Sequence, residues 1–469
     1  MLSPELVHDV ELLILVYFAL VNSGYLLLNL SASVAISRYL ETVDASALPS
    51  IYAGFELPIS VLVPAYNEEV TIVSSIQSML ALDYPEHEVV VVNDGSSDDT
   101  LRVVREAFAM EEIPEPYWQR IETKPVRAIY RSSVFPNLCL VDKENGGKAD
   151  ALNAGINVSR YPLFCTVDAD SIIHKQGLQR AVRPFMEDDR VIACGGIIRA
   201  ANGCEIREGV LLKVGLPNNP LALFQIVEFM RAFLFGRLGW ELVNSLLIIS
   251  GAFGLFRKDA VVAVGGYRTD TVGEDMELVV RLHRKMREWK QRYRITFIAD
   301  AVCWTELPER LGILKNQRVR WHRGVSESLT MNWDLLFHRR GGVVGWLAFP
   351  FMVVVEWWGP VVEIAGYVLM LLLYLWGYIA WSTFLVFLFA AIALGTLLSI
   401  TALLLEELSF NTYPKAWHVL VLLIVALLEN FGYRQMVAFF RLMGFMRWLF
   451  RQKGGWGKMT RHGRWNKRA

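Results

Sequence analysis

The sequence predicts an α/β domain flanked by transmembrane helices. Its 469 residues are too many for one ordinary domain. Hydrophobic residues make up 54% of the chain and charged residues 20%, whereas soluble domains average about 25% charged residues. The apolar residues are concentrated towards the two ends, and residues 58–330 alternate short apolar runs with helical patterns. These observations argue against a wholly soluble protein and exclude a disordered chain and a collagen-like chain.

Residues 1–37 are predicted to contain an N-terminal transmembrane helix. The run 11–36 has one charge, Glu11, at its edge, and about 20 apolar residues suffice to cross a bilayer. Acidic residues precede the run where a signal peptide would carry basic ones. Arg38, the first basic residue, follows the run, so the positive-inside rule places the N-terminus outside and the next region in the cytoplasm.

The region 38–57 is predicted to be a linker that leads into a cytoplasmic domain at 58–330. Apolar runs within that domain alternate with helical stretches, a pattern that indicates a largely parallel sheet covered by helices. The runs are 59–63, 89–92, 163–167 and 191–194.

Residues 331–437 are apolar again and are predicted to form interfacial and transmembrane helices. We expect one crossing at 416–437 and one or three within 343–405, with an interfacial helix near 343–357. Several polar or aromatic residues in these stretches are candidates to line a path or to pair between helices: Glu356, Trp357, Trp358, Glu363, Glu429, Asn430, Tyr433 and Arg434. Residues 438–469 form a basic tail that should remain in the cytoplasm beside anionic lipid.

Charge and cysteine content argue against several classes of protein. Lys and Arg number 47, and Asp and Glu also number 47. A net charge of zero argues against a nucleic-acid-binding protein. The five cysteines include no CxxC pair, which favours reduced thiols over a disulfide framework or a zinc ribbon.

Polar residues follow the first two predicted strands. Tyr66 and Glu68 follow the strand at 59–63, and Asp94 follows the strand at 89–92. Open α/β sheets bind ligands at the carboxyl edge of their parallel strands. There the Tyr66 ring can stack on a flat base, and Asp94 can accept hydrogen bonds from a base or ribose. Either segment alone is more typical of a turn and helix cap.

Two further segments carry charges that suit a phosphate-bearing ligand. Lys148 follows Gly146-Gly147 and opens a predicted helix, a position that the helix dipole disfavours unless an anion lies nearby. A solvated lysine is the alternative.

Asp168 and Asp170 follow the apolar strand 163–167. Both carboxylates can approach one cation at a strand end, and their hard oxygens suit Mg²⁺ or Mn²⁺ held together with substrate phosphates.

Three segments complete the set of motifs. Residues 250–254 are predicted to form a strand of small residues that a sugar can approach closely. Glu274 and Asp275 open an amphipathic helix, where a carboxylate suits a general base and equally suits a helix cap. Gln317, Arg320 and Trp321 share one helical face, which suits either sugar binding or an amphipathic helix lying on the membrane.

The motifs NDGSSDD at 93–99, DAD at 168–170, GED at 273–275 and QRVRW at 317–321 occur in this order. Together they resemble the membrane-embedded family-2 glycosyltransferases, in particular the processive bacterial β-glycan synthases that make cellulose, poly-N-acetylglucosamine or hyaluronan. The resemblance covers residues 55–330, and the flanking helices match in layout only. Asn93 and Gly273 depart from it, since the family often has Asp and Thr there.

The resemblance implies a GT-A fold and inverting transfer from a UDP-sugar to a growing β-linked polysaccharide. It also implies translocation of that polysaccharide across a bacterial inner membrane by a multi-pass protein with a cytoplasmic catalytic domain. The implied partners are the UDP-sugar, a glycan acceptor and membrane lipid, with accessory subunits or a homo-oligomer left open. Mg²⁺ or Mn²⁺ is the implied cofactor.

The resemblance also implies a role for each motif residue. Asp275 would be the general base. The other roles are divided among donor contacts at Tyr66, Glu68, Asp94, Lys148 and Asp168, metal ligands at Asp168 and Asp170, and acceptor contacts at Glu274, Gln317, Arg320 and Trp321. Two alternatives stay open: a single-transfer glycosyltransferase acting on a lipid acceptor, and a non-catalytic membrane scaffold that binds nucleotide-sugars.

Overall fold

The computed structural model describes residues 4–43, 54–207 and 209–452. Its first helix, α1 (Pro4–Val43), contains the candidate membrane span Leu12–Arg38. The predicted linker therefore begins later than residue 38, because the helix continues for another turn. Residues 44–53 of that linker lie outside the described residues.

A ten-stranded mixed sheet forms the centre of the domain that follows. The four predicted strands are all present as β1, β2, β6 and β8, because their apolar runs are buried on both faces of the sheet. The strands are β1 (Ile59–Ala65), β2 (His87–Asp94), β3 (Met110–Glu112), β4 (Val126–Ser132), β5 (Leu138–Lys143), β6 (Leu163–Val167), β7 (Ser171–Ile173), β8 (Val191–Ala200), β9 (Glu205–Arg207), β10 (Val210–Lys213), β11 (Phe253–Arg257) and β12 (Arg294–Thr305).

The strand order is β3-β4-β5-β2-β1-β6-β11-β8-β12-β7, with β9 and β10 as a separate hairpin. The run β5-β2-β1-β6 is parallel, as expected. The sheet is less parallel than predicted, because β11 enters between β6 and β8 antiparallel to both. Asp94 is opposite Lys143 in the β2–β5 register, so the carboxyl ends of the central strands lie at one edge.

Helices cover both faces of this sheet and connect it to the apolar C-terminal half. Those of the central domain are α2 (Ile72–Leu80), α3 (Thr100–Ala107), α4 (Lys148–Val158), α5 (Gly177–Glu187), α6 (Pro220–Phe229), α7 (Gly236–Glu241), α8 (Lys258–Ala263), α9 (Glu274–Glu288) and α10 (Leu311–Met331). A π-helical turn, Met230–Phe235, joins α6 to α7. The five cysteines are free thiols, as expected.

The C-terminal half, as far as residue 452, contains five helices from residue 344 onwards: α11 (Val344–Trp357), α12 (Gly359–Leu375), α13 (Trp381–Phe410), α14 (Ala416–Leu428) and α15 (Tyr433–Leu449). Among the described residues, two helices are long and apolar enough to cross a membrane, in α1 and α13. The number rises to four if α11 with α12, bent by 42°, and α14 with α15, bent by 61°, each form one span.

The break between α14 and α15 differs from the continuous crossing predicted at 416–437. Glu429, just after α14, forms an ion pair with Arg231. Gly432 adopts a φ of 109°, which changes the direction of the chain before α15. Helix α15 then packs on α10 so closely that a Cβ on Gly444 would lie 2.6 Å from the Val319 carbonyl oxygen. The predicted basic tail therefore begins inside a packed helix, and its residues from 453 onwards lie outside the described residues.

Candidate active site

One cavity of about 1710 Å³ contains every site residue that the sequence predicts. It opens at the carboxyl edge of the parallel strands and extends between the helices of the C-terminal half. The predicted residues in its wall are Tyr66, Glu68, Asp94, Lys148, Asp168, Asp170, Glu274, Asp275, Gln317, Arg320 and Trp321. Residues far apart in the chain therefore share one space.

The loops after β1 and β2 are joined by hydrogen bonds. Asn67, at a φ of 57°, accepts a bond from the backbone N–H of Ser97 over 2.8 Å. The backbone N–H of Glu68 donates to Thr100 Oγ1 over 2.8 Å. These contacts fix the turn that places Tyr66 at the cavity with half of its side chain exposed.

Lys148 has its anionic partner within the protein. Its ammonium group forms an ion pair with Asp168, and Glu274 Oε1 lies 4.0 Å away. Burial alone would lower the pKa of Lys148, but the two carboxylates outweigh burial and raise it above its usual value. Lys148 is therefore a cation held by Asp168 in the cavity wall rather than a solvated lysine.

Asp94 holds the glycine loop in front of Lys148. Its Oδ1 accepts from Gly146 N–H over 3.0 Å, and its Oδ2 accepts from Gly147 N–H over 2.7 Å. Lys143 Nζ, fully buried, lies 2.7 Å from Asp94 Oδ1 and 2.5 Å from Asp150 Oδ2. The sequence reasoning missed this buried ion-pair network, and it leaves Asp94 little capacity for further hydrogen bonds.

Glu274 and Asp275 begin α9 in different environments. Asp275 is half-buried, and its Oδ2 accepts from Gly251 N–H over 3.0 Å. Glu274 is buried, and burial raises its pKa to about 7 despite the nearby Lys148 cation. Ser250, Gly251 and Ala252 form a turn rather than the predicted strand, because β11 begins only at Phe253.

Gln317, Arg320 and Trp321 reach the cavity from α10, as their spacing predicted. Trp321 remains 41% exposed, which leaves part of its indole accessible. The sequence reasoning missed Arg318, which is only 2% exposed and whose guanidinium carbon lies 4.4 Å from the centroid of the Trp321 ring. Arg318 and Trp321 occupy positions i and i+3 of one helix, so their stacking could have been predicted from the sequence.

Comparison with known protein families shows to which family the chain belongs. The model described as Glycosyl transferase family group 2 matches residues 163–431, which is more than half of the chain. The chain belongs to the family-2 glycosyltransferases. A second model, described as Glycosyl transferase family 2, matches residues 60–262. The mixed sheet covered by helices and flanked by apolar helices, in a family-2 glycosyltransferase, confirms the predicted GT-A fold.

This family-2 glycosyltransferase is similar to poly-β-1,6-N-acetyl-D-glucosamine synthases. It is 32% identical over 274 residues to that of Staphylococcus aureus strain COL, and 30% identical over 272 residues to that of Staphylococcus epidermidis. Each alignment covers 58% of this chain and 55% of the relative. The chain therefore spans about half the length of these curated relatives.

Two solved structures are also similar to this glycosyltransferase. The mannosyltransferase PcManGT of Pyrobaculum calidifontis, in complex with GDP-Man and Mn²⁺, has a TM-score of 0.49 and 16% identity, over 92% of this chain and 100% of that one. TarS of Staphylococcus aureus, in complex with UDP-GlcNAc, has a TM-score of 0.38 and 15% identity, over 81% of this chain and 92% of that one.

The structure explains both departures from the family pattern. Asn93 is buried and donates through Nδ2 to Asp142 Oδ1 over 2.7 Å, so an aspartate there would place two carboxylates in contact. Gly273 packs against Gly324 of α10, where a Cβ on Gly273 would lie 2.7 Å from the Gly324 Cα. A threonine at 273 therefore does not fit, and this contact brings Asp275 and Trp321 to the same cavity.

The donor set of Asp168 and Asp170 fits a divalent cation. Both carboxylates are half-buried in the cavity wall of this glycosyltransferase. The described part of the chain contains no group of three or more His, Cys, Asp or Glu side chains able to hold a metal ion. A Mg²⁺ or Mn²⁺ ion at these two residues would therefore take its other ligands from substrate phosphates and water, as Mg²⁺ usually does.

The cavity of this glycosyltransferase continues between the helices of the C-terminal half. Five of the predicted polar residues lie in its wall: Glu356, Glu363, Asn430, Tyr433 and Arg434. Glu356 accepts from Tyr25 of α1 over 2.5 Å and pairs with Arg441 of α15 over 2.8 Å. Glu429 instead pairs between helices with Arg231, and Trp357 is buried and donates to Ser326.

Proposed function

We propose that this glycosyltransferase transfers sugar units from a UDP-sugar to a growing β-linked polysaccharide with inversion at the anomeric carbon. The observation that supports this most strongly is the single cavity, whose wall brings together a half-buried carboxylate, a lysine paired with Asp168, two metal-suited aspartates and an exposed tryptophan. The similarity to poly-β-1,6-N-acetyl-D-glucosamine synthases makes UDP-N-acetylglucosamine the first donor to test.

Asp275 is the proposed general base. It lies in the first turn of α9, where the helix dipole favours a carboxylate anion, and Gly251 N–H orients it. Asp275 takes the proton from the acceptor hydroxyl as that oxygen forms a bond to the anomeric carbon. The bond from that carbon to the phosphate oxygen breaks in the same step, UDP leaves, and an α-linked donor yields a β-linkage.

Lys148 and the glycine loop are the proposed diphosphate contacts. Lys148 supplies a fixed positive charge. The Asp94 carboxylate holds Gly146 and Gly147 in place, and the absence of side chains there lets their backbone approach the diphosphate closely. A divalent ion bound at Asp168 and Asp170 would neutralise negative charge on the departing diphosphate. Trp321 offers a flat surface for the acceptor sugar, with Gln317 and Arg320 as hydrogen-bond donors beside it.

Translocation of the product is the second part of the proposal. The cavity leads from the catalytic residues to polar side chains between the helices of the C-terminal half, such as Glu356 and Arg441. A polysaccharide loses the hydration of its hydroxyl groups in lipid, at a cost of about 2–7 kcal/mol for each unpaired group. Polar groups along the path replace that hydration. The proposed orientation has the catalytic domain in the cytoplasm of a multi-pass inner-membrane protein.

A panel of UDP-sugars tests the transfer. Detergent-solubilised protein is incubated with each donor and with Mg²⁺ or Mn²⁺, UDP release is measured, and products are identified by mass spectrometry. We expect one donor to yield a β-linked polymer. Short products on a lipid would instead indicate a single-transfer enzyme, and the absence of UDP release with every donor would contradict the proposal.

Sealed vesicles test translocation. The protein is reconstituted with its catalytic domain outside, and the donor is added to the outside. We expect polymer that is protected from an added glycosidase until detergent opens the vesicles. Product that is digested completely without detergent would contradict a path through the protein.

A further inference from the structure

Helix α6 ends in the cavity wall beside Trp321. Its penultimate residue, Glu228, lines the cavity, and the Glu228 side chain is 21% exposed. The ring of the next residue, Phe229, lies 6.4 Å from the Trp321 ring, centroid to centroid. The end of α6 therefore places a carboxylate next to the proposed acceptor surface.

The two oxygens of Glu228 have different surroundings. Oε2 lies 2.8 Å from Arg318 Nη2 and accepts from the Tyr433 hydroxyl over 2.6 Å. Oε1 makes no hydrogen bond to any residue in the described part of the chain. Residues of α10 and α15 therefore hold Oε2 of this α6 residue, whereas Oε1 is available to a ligand in the cavity.

Arg318 links this carboxylate to the tryptophan. Its guanidinium group is buried against the Trp321 ring, and its Nε and Nη1 atoms have no hydrogen-bond partner among the described residues. Its Nη2 atom donates to Glu228. The orientation of Arg318 therefore depends on both neighbours, and moving Glu228 would move the support under Trp321.

We propose that Glu228 is an acceptor-binding residue, whose Oε1 accepts a hydrogen bond from a hydroxyl or amide N–H of the sugar stacked on Trp321. Arg318 and Tyr433 act as positioning residues that hold Glu228 in this orientation. The ligand is an uncharged sugar unit of the growing glycan, with or without an N-acetyl group. This inference rests on the proposed function and extends it to Glu228 and Tyr433, which lie outside the four sequence motifs.

Glu228→Gln tests the contact with little change of shape. Arg318 and Tyr433 both donate, so the amide oxygen of the substituted side chain takes the place of Oε2 and its NH₂ group turns to the cavity. An acceptor becomes a donor there. Because a hydrogen bond to a charged group is stronger than one between neutral groups, we expect binding of a short β-linked N-acetylglucosamine oligosaccharide to weaken by about tenfold or more.

The ratio of transfer to hydrolysis separates a binding role from a structural one. We expect Glu228→Gln to lower glycan elongation by about tenfold, and to change hydrolysis of the UDP-sugar by water and the donor KM by less than about threefold. Tyr433→Phe, which removes one of the two bonds to Oε2, should lower elongation by a smaller factor. Glu106→Gln, at an exposed ion pair with Arg102 on α3, is the matched control.

Two results would overturn the inference while leaving the proposed function in place. One is a Glu228→Gln variant that binds and elongates the glycan as the wild type does. The other is a parallel loss of elongation, hydrolysis and thermal stability, which would show a structural role. A wild type that binds no oligosaccharide and releases no UDP would overturn the proposed function and this inference with it.

Discussion

The contact between Gly273 and Gly324 predicts that one methyl group disables the enzyme without touching a catalytic side chain. A Cβ added at Gly273 would lie 2.7 Å from the Cα and 2.8 Å from the carbonyl carbon and oxygen of Gly324. All three are backbone atoms, so no side chain can rotate away. The φ of Gly273 is −120°, outside the left-handed region that favours glycine, and the main effect of Gly273→Ala therefore comes from packing.

The size of the effect follows from this geometry. Carbon atoms in contact prefer separations of about 3.5–4.0 Å, so α9 and α10 must move apart by about 1 Å. Such overpacking costs about 1–3 kcal/mol of stability. It also displaces Asp275 from Arg320 and Trp321 by a similar distance, and a misplacement of about 1 Å can cost about 100-fold in rate.

The assay is UDP release at saturating donor, combined with thermal unfolding in detergent. We expect Gly273→Ala to lower kcat by about 100-fold and to change the donor KM little, because Lys148, Asp94 and Asp168 lie on other elements. Gly312→Ala is the matched control: it is exposed on α10 with no atom within 4 Å of an added Cβ, so it should retain full activity. A Gly273→Ala variant with kcat within about twofold of the wild type and unchanged stability would show that this contact does not position Asp275.

Three further variants test other parts of the site. Asp170→Ala should abolish transfer at every Mg²⁺ or Mn²⁺ concentration and remove the strengthening of UDP binding by metal in calorimetry; metal-stimulated transfer in that variant would contradict the assignment. Burial raises the folded-state pKa of Glu274 from 4.5 to about 7, so its contribution to stability is present below pH 4.5 and is lost as the pH rises through 7. Glu274→Gln should therefore gain thermal stability relative to the wild type between about pH 5 and pH 8, and a constant difference would count against it. Asp94→Asn should cost about 3–5 kcal/mol, because it breaks a buried ion-pair network, and should weaken donor binding; Asp99→Asn, on the exposed surface beside Arg102, is the control and should change neither.

The strands were predictable because their apolar runs are local signals. Residues 163–167 form β6 with the predicted bounds, since a short apolar run between polar segments has few other ways to bury both faces. The residues at the sheet edge followed from the rule that parallel strands end together. Helix spacing similarly placed Gln317, Arg320 and Trp321 on one face.

What sequence reasoning missed depends on contacts between distant segments. Strand β11 pairs antiparallel with β6 and β8, which lie far from it in the chain, and Asp275 holds the turn before β11 through Gly251. The partners of Lys143 lie 49 residues before it, at Asp94, and seven residues after it, at Asp150. A single sequence carries no signal for such pairings, so the role of Asp94 in supporting the glycine loop could not be read from its motif.

The most direct test of the whole account compares the wild type with Asp275→Asn, using the donor that the panel identifies. We predict that the variant binds UDP with an affinity within a few-fold of the wild type, because Lys148 and the glycine loop are intact, and that its UDP release from the sugar donor falls to background. UDP release at the wild-type rate would show that the acids gathered in this cavity do not perform the transfer.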